Sequence, residues 1–472
     1  MHASRTSPAG AQRCQMLREA GDLGDVAAPV RGDVAADICI VGGGYLGLWT
    51  AIGLLEAEPS ARVAVVEADI CGGGASGRNS GMALAYWSKV QALVAACGAE
   101  EALRLCAASA QAIGDTAAFA ERHGLDIEFA RTGWLWGATC AAQEGRWAPV
   151  VDLLENLGVA PFRTLGRADV SALVDADGYL CGVFDESAAT LHPGKLARGL
   201  RRVAASMGAM IFENSPMTAL RRGRPTAVTC PEGRVTADRI VLAMNVWSLA
   251  VPELRSGILV ITSDDAITAP ARDFLERHNW VDGPILTDSG TFVSGYRPTR
   301  DGRIVAGVTG GTIGFGALRG QRFEGRTPRE SAIARALQAA FRDASEVTIA
   351  ASWRGPIDRT RSGLPIFGSL PGSPRILFGY GFSGNGIVGC RVGAQVLTAL
   401  ALEQRDAWAA TPLVRRPERW MPPEPARYLG AHLVRWAVRR QDRLDREGRR
   451  QGLIGRRLAA LAPGGIVTTR TA

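Results

Sequence analysis

The segment GGGASGRNSGMA, residues 72–83, holds five glycines, two serines, one arginine and one asparagine. It follows an apolar run that predicts a buried strand, and it contains none of the usual catalytic acids, bases or metal ligands. The groups it offers to a ligand are bare backbone and the Arg78 guanidinium. This composition favours contact with a bound cofactor, and a flexible surface loop is the alternative interpretation.

The elements that must position this segment lie in residues 36–69, ADICIVGGGYLGLWTAIGLLEAEPSARVAVVEAD. A short strand leads into Gly42, Gly44 and Gly47 in GxGxxG spacing, an apolar helix follows, and a second strand ends at Glu67. The three glycines permit a tight turn, close approach of a pyrophosphate and close helix–strand packing. Glu67 suits the hydroxyl pair of a ribose without a 2′-phosphate. The pattern predicts a dinucleotide-binding unit and disfavours NADP.

The chain of 472 residues, 47% hydrophobic and 21% charged, is long enough for two domains with a large core. No run of about 18 uncharged apolar residues occurs, and the N-terminus lacks the apolar centre of a signal peptide, so we expect a soluble cytoplasmic protein. Its nine cysteines are scattered without a CxxC pair, which favours buried free thiols over disulfides or zinc ligands. We therefore expect no metal centre.

Residues 415–457 carry thirteen arginines against five acidic residues, so their surplus of eight positive charges equals the net charge of the whole chain. Within this tail, Leu429, Leu433, Trp436 and Leu444 recur near helical spacing and predict a basic amphipathic helix. One interpretation is peripheral contact with an anionic membrane surface or a partner. The other is a helix docked on the protein's own core with a solvated arginine face. The absence of a base-reading motif disfavours nucleic-acid binding.

The segment GGGASGRNSG also resembles GASGRNGG of the FAD-dependent oxidases grouped around D-amino-acid oxidase, glycine oxidase and sarcosine oxidase. Later blocks at 191–220, 235–248, 294–308 and 353–387 resemble the same family in the same order. The resemblance implies that the glycine-rich loop wraps the flavin end of FAD and that a later backbone segment binds adenine. With the glycines and acid above, the residues assigned to FAD are Gly42, Gly44, Gly47, Glu67, Ala75, Ser76, Arg78, Asn79, Ser80, Met217, Gly384, Asn385, Gly386 and Ile387.

Within the family, GGGASGRNSG, RTGWLWGAT, GFSGNGI and the arginine-rich tail are most similar to the bacterial gamma-glutamylputrescine oxidoreductase and aminophosphonate oxidoreductase group. Several relatives attach FAD through a histidine near the glycine-rich loop or a cysteine in the C-terminal segment. No histidine lies at 70–90 and no cysteine at 345–385, so we expect non-covalent FAD, with Cys390 as the one residue that could change this.

These blocks predict an α/β (α+β) protein with a Rossmann-like FAD-binding domain, an interleaved substrate domain on a largely antiparallel sheet, and a helical basic C-terminal tail. The expected boundaries are 1–35 for a loose N-terminal extension, 36–90, 188–247 and 346–410 for the FAD-binding domain, 91–187 and 248–345 for the substrate domain, and 411–472 for the tail.

The resemblance implies an FAD-dependent oxidoreductase that oxidises the C–N bond of a primary or secondary amine by hydride transfer to flavin. The substrate is expected to be gamma-glutamylputrescine-like, an aminophosphonate or an amino acid; the imine is then hydrolysed and electrons pass to oxygen or another acceptor. Because no His, Asp and Ser constellation recurs near the flavin blocks, desolvation of the amine is expected to replace a dedicated base. The alternatives are a membrane-surface flavin dehydrogenase that feeds quinone and a non-catalytic flavoprotein module. Oligomeric state is left open.

The candidates for substrate positioning are Arg297, Tyr296 and Trp353. A guanidinium at 297 suits a carboxylate or phosphonate, and a structural ion pair is the alternative, as it is for Arg354. The tyrosine either caps the flavin ring or lies in the sheet. Trp134 and Trp136 alternate on a predicted strand and either face the flavin or pack in the core. His192 precedes a predicted helix and is expected to anchor a loop.

Overall fold

A computed structural model describes residues 13–21, 24–316 and 325–463. Within these ranges the strands are β1 (Gly32–Val41), β2 (Val63–Val66), β3 (Met82–Ala83), β4 (Trp134–Ala138), β5 (Phe162–Leu165), β6 (Cys181–Asp185), β7 (Ala189–Thr190), β8 (Met210–Phe212), β9 (Ala219–Arg221), β10 (Thr226–Thr229), β11 (Gly233–Leu242), β12 (Leu259–Thr268), β13 (Ile285–Asp288), β14 (Ser294–Pro298), β15 (Ile304–Val308), β16 (Ile349–Arg359), β17 (Ile366–Leu370) and β18 (Ser373–Tyr380). The helices are α1 (Gln15–Arg18), α2 (Tyr45–Ala57), α3 (Val90–Cys97), α4 (Ala99–Arg122), α5 (Ala148–Asn156), α6 (Arg167–Leu173), α7 (Pro193–Ser206), α8 (Arg272–Arg277), α9 (Glu330–Ala340), α10 (Gly386–Ala401), α11 (Ala426–Arg446) and α12 (Leu453–Ala459).

The first sheet has the strand order β17–β18–β11–β1–β2–β8, and β10 and β9 extend it beside β11. Its neighbours from β18 to β8 run parallel, as the βαβ pattern of the sequence predicts. The β2 sequence VAVV is buried at every position, because Val63 and Val65 pack with residues of α2, α7 and α10, while Ala64 and Val66 pack on the other face with residues of β10 and of the 246–258 segment. Helix α2 packs against both α7 and α10. The carboxyl ends of these parallel strands therefore form one edge, where open α/β sheets bind ligands.

The second sheet has the strand order β16–β12–β15–β14–β13–β4–β6–β5 and is antiparallel except between β13 and β4. Strand β16 pairs with β12 along its whole length, so it belongs to this sheet. The expected domain boundary at 346 therefore needs correction, because the chain returns to the first sheet only after Arg359. The reason is that the partner of β16 lies about ninety residues earlier, outside any local pattern.

The N-terminal region differs from the loose extension that we expected for 1–35. Met16 and Leu17 of α1 are fully buried and join Trp353 in one apolar cluster. The Asp25 carboxylate forms an ion pair with Arg198, whose guanidinium is buried. These contacts hold residues 13–21 and 24–31 on the folded body, and residues 1–12 lie outside the described part of the chain.

The C-terminal tail is helical, as predicted, and it docks on the body through both apolar and polar contacts. Apolar side chains of α11 and α12, including Val438 and Ala459, form one small cluster with Phe292 of the body, and Tyr428 of α11 packs on a second apolar cluster of the body. Toward the body, the Asp442 carboxylate of α11 accepts hydrogen bonds from the backbone of Thr291 and Phe292 at 3.1 and 3.2 Å. No helix in the described ranges is long and apolar enough to cross a membrane.

Candidate active site

The turn between β1 and α2 has the geometry that its glycines require. Gly42 has φ +114°, and a Cβ there would lie 2.4 Å from the carbonyl oxygen of Ala243. A Cβ on Gly47 would lie 1.9 Å from the carbonyl oxygen of Gly42. No side chain fits either position, so the backbone at the N-terminus of α2 stays bare. Gly44 caps this helix, and the positive end of its dipole suits a phosphate.

The acid at the end of β2 lies beside this turn. The Glu67 carboxylate accepts hydrogen bonds from the backbone N–H groups of Gly43 at 2.7 Å and Asp69 at 2.9 Å. Burial raises its pKa to about 7 despite these two donors. The Glu67 carbonyl accepts from Ser215 N at 2.7 Å, and Met217 follows two residues later at the same edge of the sheet. The turn, the acid and the 217 position are therefore neighbours, as the sequence predicts.

The glycine-rich loop, residues 72–83, folds on itself through its own polar side chains. The Arg78 Nε donates to the carbonyl oxygen of Gly73 at 2.9 Å, and the Asn79 amide donates to the carbonyl oxygen of Ser76 at 2.7 Å. The Ser76 hydroxyl accepts from the first N–H of α2, on Tyr45, at 2.9 Å. The loop is therefore bonded directly to the helix N-terminus that suits a phosphate, which disfavours the flexible-loop alternative.

A large cavity lies between this loop, the N-terminus of α10 and the face of the second sheet. It encloses about 1120 Å³ of empty space, part of which is open to solvent. Nine of the fourteen residues that the sequence assigned to FAD line it, namely Ala75, Ser76, Arg78, Asn79, Ser80, Gly384, Asn385, Gly386 and Ile387. The other five, Gly42, Gly44, Gly47, Glu67 and Met217, lie at or near the carboxyl edge of the first sheet.

The N-terminus of α10 presents polar groups to this cavity. The Asn385 side chain is buried, and its Nδ2 atom has no hydrogen-bond partner in the described part of the chain. A Cβ added to Gly386 would meet nothing within 4 Å, so the backbone there borders empty space. An unsatisfied buried amide and an open helix N-terminus together call for a polar, electron-rich ligand edge.

The side of the cavity formed by the second sheet contains an acid that the sequence analysis missed. Asp265 of β12 is 1% exposed, lines the cavity and accepts a hydrogen bond from the Ser80 hydroxyl at 2.6 Å. Burial raises its pKa to about 7, although hydrogen bonds from Ser80 and Ser263 act in the opposite direction. The negative charge of the neighbouring Asp264 raises this pKa together with burial. Asp265 is therefore a buried carboxyl group beside the glycine-rich loop, with serine hydroxyls as its hydrogen-bond donors.

Its neighbour Asp264 points to the other face of the strand, because successive side chains alternate. The Asp264 carboxylate accepts from the Thr327 hydroxyl at 2.7 Å and pairs with Arg329 at 2.8 Å. The sequence ITSDDAIT gives no sign of this division. The only sequence signal for it is the alternation of side chains along a strand. That alternation assigns Asp265 to the cavity only once the face of β12 that lines the cavity is known.

A second buried acid, Asp358 of β16, also lines the cavity. Its Oδ2 atom accepts from the backbone N–H of Gly381 at 2.5 Å. Burial raises its pKa to about 6, and backbone donors of the 381–383 turn oppose this shift. Asp358 thus holds the turn that leads into α10. Of the two cavity acids, Asp265 is the one whose hydrogen bonds come from side-chain hydroxyls and not from the backbone.

The three candidates for substrate positioning do not line this cavity within the part of the chain that the structure describes. The Arg297 guanidinium is buried and donates to the carbonyl oxygens of Ser80, Leu191 and Pro298. Tyr296 points to the opposite face from Gly295 and packs in the core of the second sheet. The Trp353 indole N–H donates to the carbonyl oxygen of Arg78 at 2.7 Å. Two of the three, Arg297 and Trp353, therefore donate hydrogen bonds to the backbone of the glycine-rich loop.

Arg297→Gln tests whether that contact is structural. We expect FAD affinity to fall about tenfold and the melting temperature to drop, since charge-assisted hydrogen bonds to the loop are lost. The KM for substrate should change less than about twofold in enzyme saturated with FAD. A large rise in KM at unchanged FAD affinity would instead support direct contact between Arg297 and the substrate.

The remaining aromatic and basic candidates have structural contacts. Trp134 and Trp136 are fully buried with parallel rings 5.8 Å apart, and the Trp134 indole donates to the Thr287 hydroxyl at 2.8 Å. His192 caps α7, since its Nδ1 accepts from Lys195 N at 3.2 Å, which agrees with loop anchoring. Arg354 lies in β16 opposite Asp264.

The fold and the cavity define a class of protein: a dinucleotide-binding enzyme with a parallel-sheet domain and an interleaved antiparallel-sheet domain that meet at one site. Residues 37–400 match the DAO family, described as FAD dependent oxidoreductase. The chain therefore belongs to the DAO family of FAD-dependent oxidoreductases, and both the family and the fold class predicted from the sequence are confirmed.

Similar proteins come from several organisms. The gamma-glutamylputrescine oxidoreductase of Escherichia coli K12 is 27% identical over 392 residues, which are 80% of this chain and 87% of that protein. The glycine oxidase of Pseudomonas putida KT2440 is 24% identical over 78% of this chain and 94% of its own length. Among solved structures, glycine oxidase from Geobacillus kaustophilus has a TM-score of 0.66 at 20% identity, covering 82% of this chain and all of that one. L-Proline dehydrogenase from P. horikoshii also has a TM-score of 0.66, at 16% identity over 81% of this chain and 98% of that one.

The described residues fit FAD. The α2 N-terminus with Gly42 and Gly44 would hold the diphosphate, and Glu67 would bind the ribose. The partnerless Nδ2 of Asn385 and the open backbone at Gly386 would meet the edge of the flavin ring. When bound, FAD supplies the two-electron acceptor for oxidation of a carbon–nitrogen bond.

Proposed function

We propose that this protein oxidises the C–N bond of a primary or secondary amine whose reacting carbon carries no carboxylate, as in a gamma-glutamylputrescine-like terminal amine. The observation that supports this most is Asp265, a buried carboxyl group in the cavity that also receives the FAD loop and the α10 N-terminus. The relative named gamma-glutamylputrescine oxidoreductase is consistent with such a substrate.

The charge of the cavity supports a cationic substrate group. Among the described residues that line it, Asp265 and Asp358 are acidic, and Arg78 is the one basic side chain. Arg78 already donates through Nε to Gly73 within the glycine-rich loop. An α-amino acid or an aminophosphonate needs a cation near its anionic group, whereas an ammonium group needs a carboxylate. The lining therefore favours an amine over the other two substrate classes.

We infer that Asp265 prepares the amine for oxidation. A free alkylamine has a pKa of about 10.4, so roughly one molecule in a thousand is neutral at pH 7. The ionised Asp265 attracts the ammonium group, and its raised pKa suits it to accept the proton that the amine must lose. Ser80 and Ser263 orient the carboxylate through their hydroxyls. This replaces the expectation of desolvation alone with a named proton acceptor.

The products follow from the balance of atoms and electrons in the reaction. The reacting carbon loses a hydride while the nitrogen lone pair forms a C=N bond, so the amine is oxidised by two electrons to an imine. Water then hydrolyses the imine to an aldehyde or ketone and releases ammonia or a smaller amine. The two electrons leave to oxygen or to another acceptor.

Steady-state turnover with matched compounds tests the substrate class. We expect kcat/KM for gamma-glutamylputrescine and simple alkyl diamines to exceed that for glycine, proline and 2-aminoethylphosphonate. The opposite order would refute the assignment of a substrate without a carboxylate or phosphonate near the reacting carbon.

We also propose that FAD is bound without a covalent link. Cys390 lines the cavity from α10, but burial raises the pKa of its thiol well above the ordinary value, so it stays protonated and poorly nucleophilic. Acid precipitation of the yellow protein should release all of the flavin into the supernatant, and Cys390→Ser should retain FAD. Flavin that stays with the precipitate of the natural protein but not of Cys390→Ser would identify a thioether at this position.

A second candidate function concerns the electron acceptor. The exposed side of α11 carries apolar side chains, including Leu433 and Trp436. Such a surface is consistent with contact with a membrane, where a dehydrogenase of this kind would pass its electrons to quinone. Reduction of a soluble ubiquinone analogue faster than oxygen would support it, and oxygen consumption alone would remove it.

A further inference from the structure

The outer face of α11 is apolar where a docked helix is usually polar. Leu429, Leu433 and Trp436 are 64%, 49% and 53% exposed, and their spacing of four and three residues places them in one row along the helix. We call these three residues the apolar row. A helix that serves only its own domain turns such a row toward the core.

The inner face of α11 combines apolar and charged contacts, since Tyr428 and Ala431 pack on the apolar cluster of Leu259, Ile261 and Ile313. Arg435 and Arg439 donate to the carbonyl oxygens of Gly311 and Gly310, the latter at 3.0 Å. Arg146, outside the tail, pairs with Asp445 at 2.5 Å. These contacts hold the helix on the body, and in the described part of the chain the apolar row belongs to neither of the apolar clusters that dock it.

Exposed arginines follow the apolar row along the chain. They belong to α11, to the turn after it and to α12, and we call them the basic rim: Arg440, Arg443, Arg446, Arg449, Arg450, Arg456 and Arg457. The Arg440 guanidinium lies 5.8 Å from the Trp436 ring centroid. Glu447 is the one exposed acid of the same stretch, and it already pairs with Arg443 and Arg449. Helix α12 adds further exposed apolar side chains, Leu453 and Ile454, at 68% and 78%.

We propose that this C-terminal helix pair binds the surface of an anionic lipid bilayer. The apolar row would enter the headgroup boundary, with Trp436 at the depth that indole rings prefer, and the basic rim would contact lipid phosphates. Arginine suits this position because its aliphatic stem packs on apolar surface while its guanidinium binds phosphate.

Other binding partners would suit either the apolar row or the basic rim, but not both. A second copy of this chain would cover the apolar row but would bring two basic rims together, and like charges repel. A nucleic acid would neutralise the rim but would leave the leucine side chains without apolar contact. An anionic bilayer meets both requirements, and its binding does not depend on the proposed amine substrate.

Vesicle cosedimentation of the full-length holoenzyme tests the proposal. The probes are vesicles of phosphatidylcholine alone and of equal parts phosphatidylcholine and phosphatidylglycerol, at low and high salt. We expect binding to the anionic vesicles only, weakened by salt. Leu433→Ser with Trp436→Ser should abolish binding while flavin absorbance and the circular dichroism spectrum stay unchanged.

Charge variants supply the matched control. Arg449→Gln with Arg456→Gln should weaken binding about 25-fold, at about fivefold for each arginine removed from the surface. Arg272→Gln with Arg342→Gln removes the same charge from exposed positions elsewhere and should leave binding unchanged. Equal losses in both pairs, or no binding to anionic vesicles, would overturn the proposal. So would light scattering that shows a dimer which Leu433→Ser with Trp436→Ser dissociates.

Discussion

Asp265→Asn is expected to lower kcat/KM for an amine substrate by about 100-fold to 1,000-fold, because the variant cannot accept the proton of the ammonium group. In the natural enzyme, kcat/KM should fall as the pH drops through about 7, the value to which burial raises the Asp265 pKa. The variant should lose this acidic limb. The measurement is a pH profile of steady-state kinetics with saturating acceptor.

The same substitution should stabilise the protein at pH 8. The carboxyl pKa is about 3.9 in the unfolded chain and about 7 in the folded protein, so the folded state binds a proton that the unfolded state has released between these values. Stability from this group is therefore greatest below pH about 4 and declines as pH rises to about 7. Asparagine removes the buried charge and should raise the melting temperature at pH 8.

Asp264→Asn is the matched control, one residue along β12 on the opposite face. It breaks the ion pair with Arg329 at 2.8 Å, so it should lower the melting temperature and leave the acidic limb of the pH profile in place. If the two variants had the same effects on pH profile and stability, Asp265 would have no role as a proton acceptor.

Gly386→Leu is expected to weaken FAD binding by about 100-fold. The added side chain would extend into the cavity, where overlap with a bound ring costs about 3 kcal/mol. The apoprotein should be as stable as the natural one, because a Cβ at this position meets nothing within 4 Å and leucine favours a helix over glycine. Titration of the apoprotein with FAD, followed by flavin fluorescence, measures the affinity.

Gly430→Leu provides the comparison for this variant, since Gly430 lies in α11 and also has open space around its Cα. It should leave FAD affinity unchanged. Unaltered affinity in Gly386→Leu would mean that the flavin lies elsewhere, and a loss of apoprotein stability would mean that the position is structural.

Local patterns allowed the dinucleotide-binding turn to be predicted in detail. Gly42, Gly47 and Glu67 lie within 26 residues of one another, where a Cβ on Gly47 would meet the Gly42 carbonyl, Glu67 accepts from Gly43, and Gly42 has the positive φ of a tight turn. The position of β16 could not be predicted in the same way, because β12 is far away in sequence and pairing register is not encoded locally. The burial of Met16 depends likewise on distant residues, including Trp353.

The candidate site was predicted in part for the same reason. Ser80 was assigned to the FAD loop from its motif, whereas its partner Asp265 lies 185 residues later and resembles its neighbour Asp264 in the sequence. The tail shows a further limit. Periodicity predicted the α11 helix, but it could not indicate that Arg435 faces the body and Trp436 faces solvent. An arginine can hold a helix on the body through hydrogen bonds to carbonyl oxygens, a role that hydrophobic periodicity does not reveal.

Anaerobic reduction of the purified protein tests the central claim most directly. The visible flavin spectrum is recorded before and after addition of gamma-glutamylputrescine, with glycine, proline and 2-aminoethylphosphonate added in parallel samples. The proposed function predicts a bound flavin that the terminal amine bleaches rapidly. In the Asp265→Asn variant, the same compound should bleach the flavin far more slowly. A flavin that no amine reduces, or a protein that takes up no FAD, would contradict it.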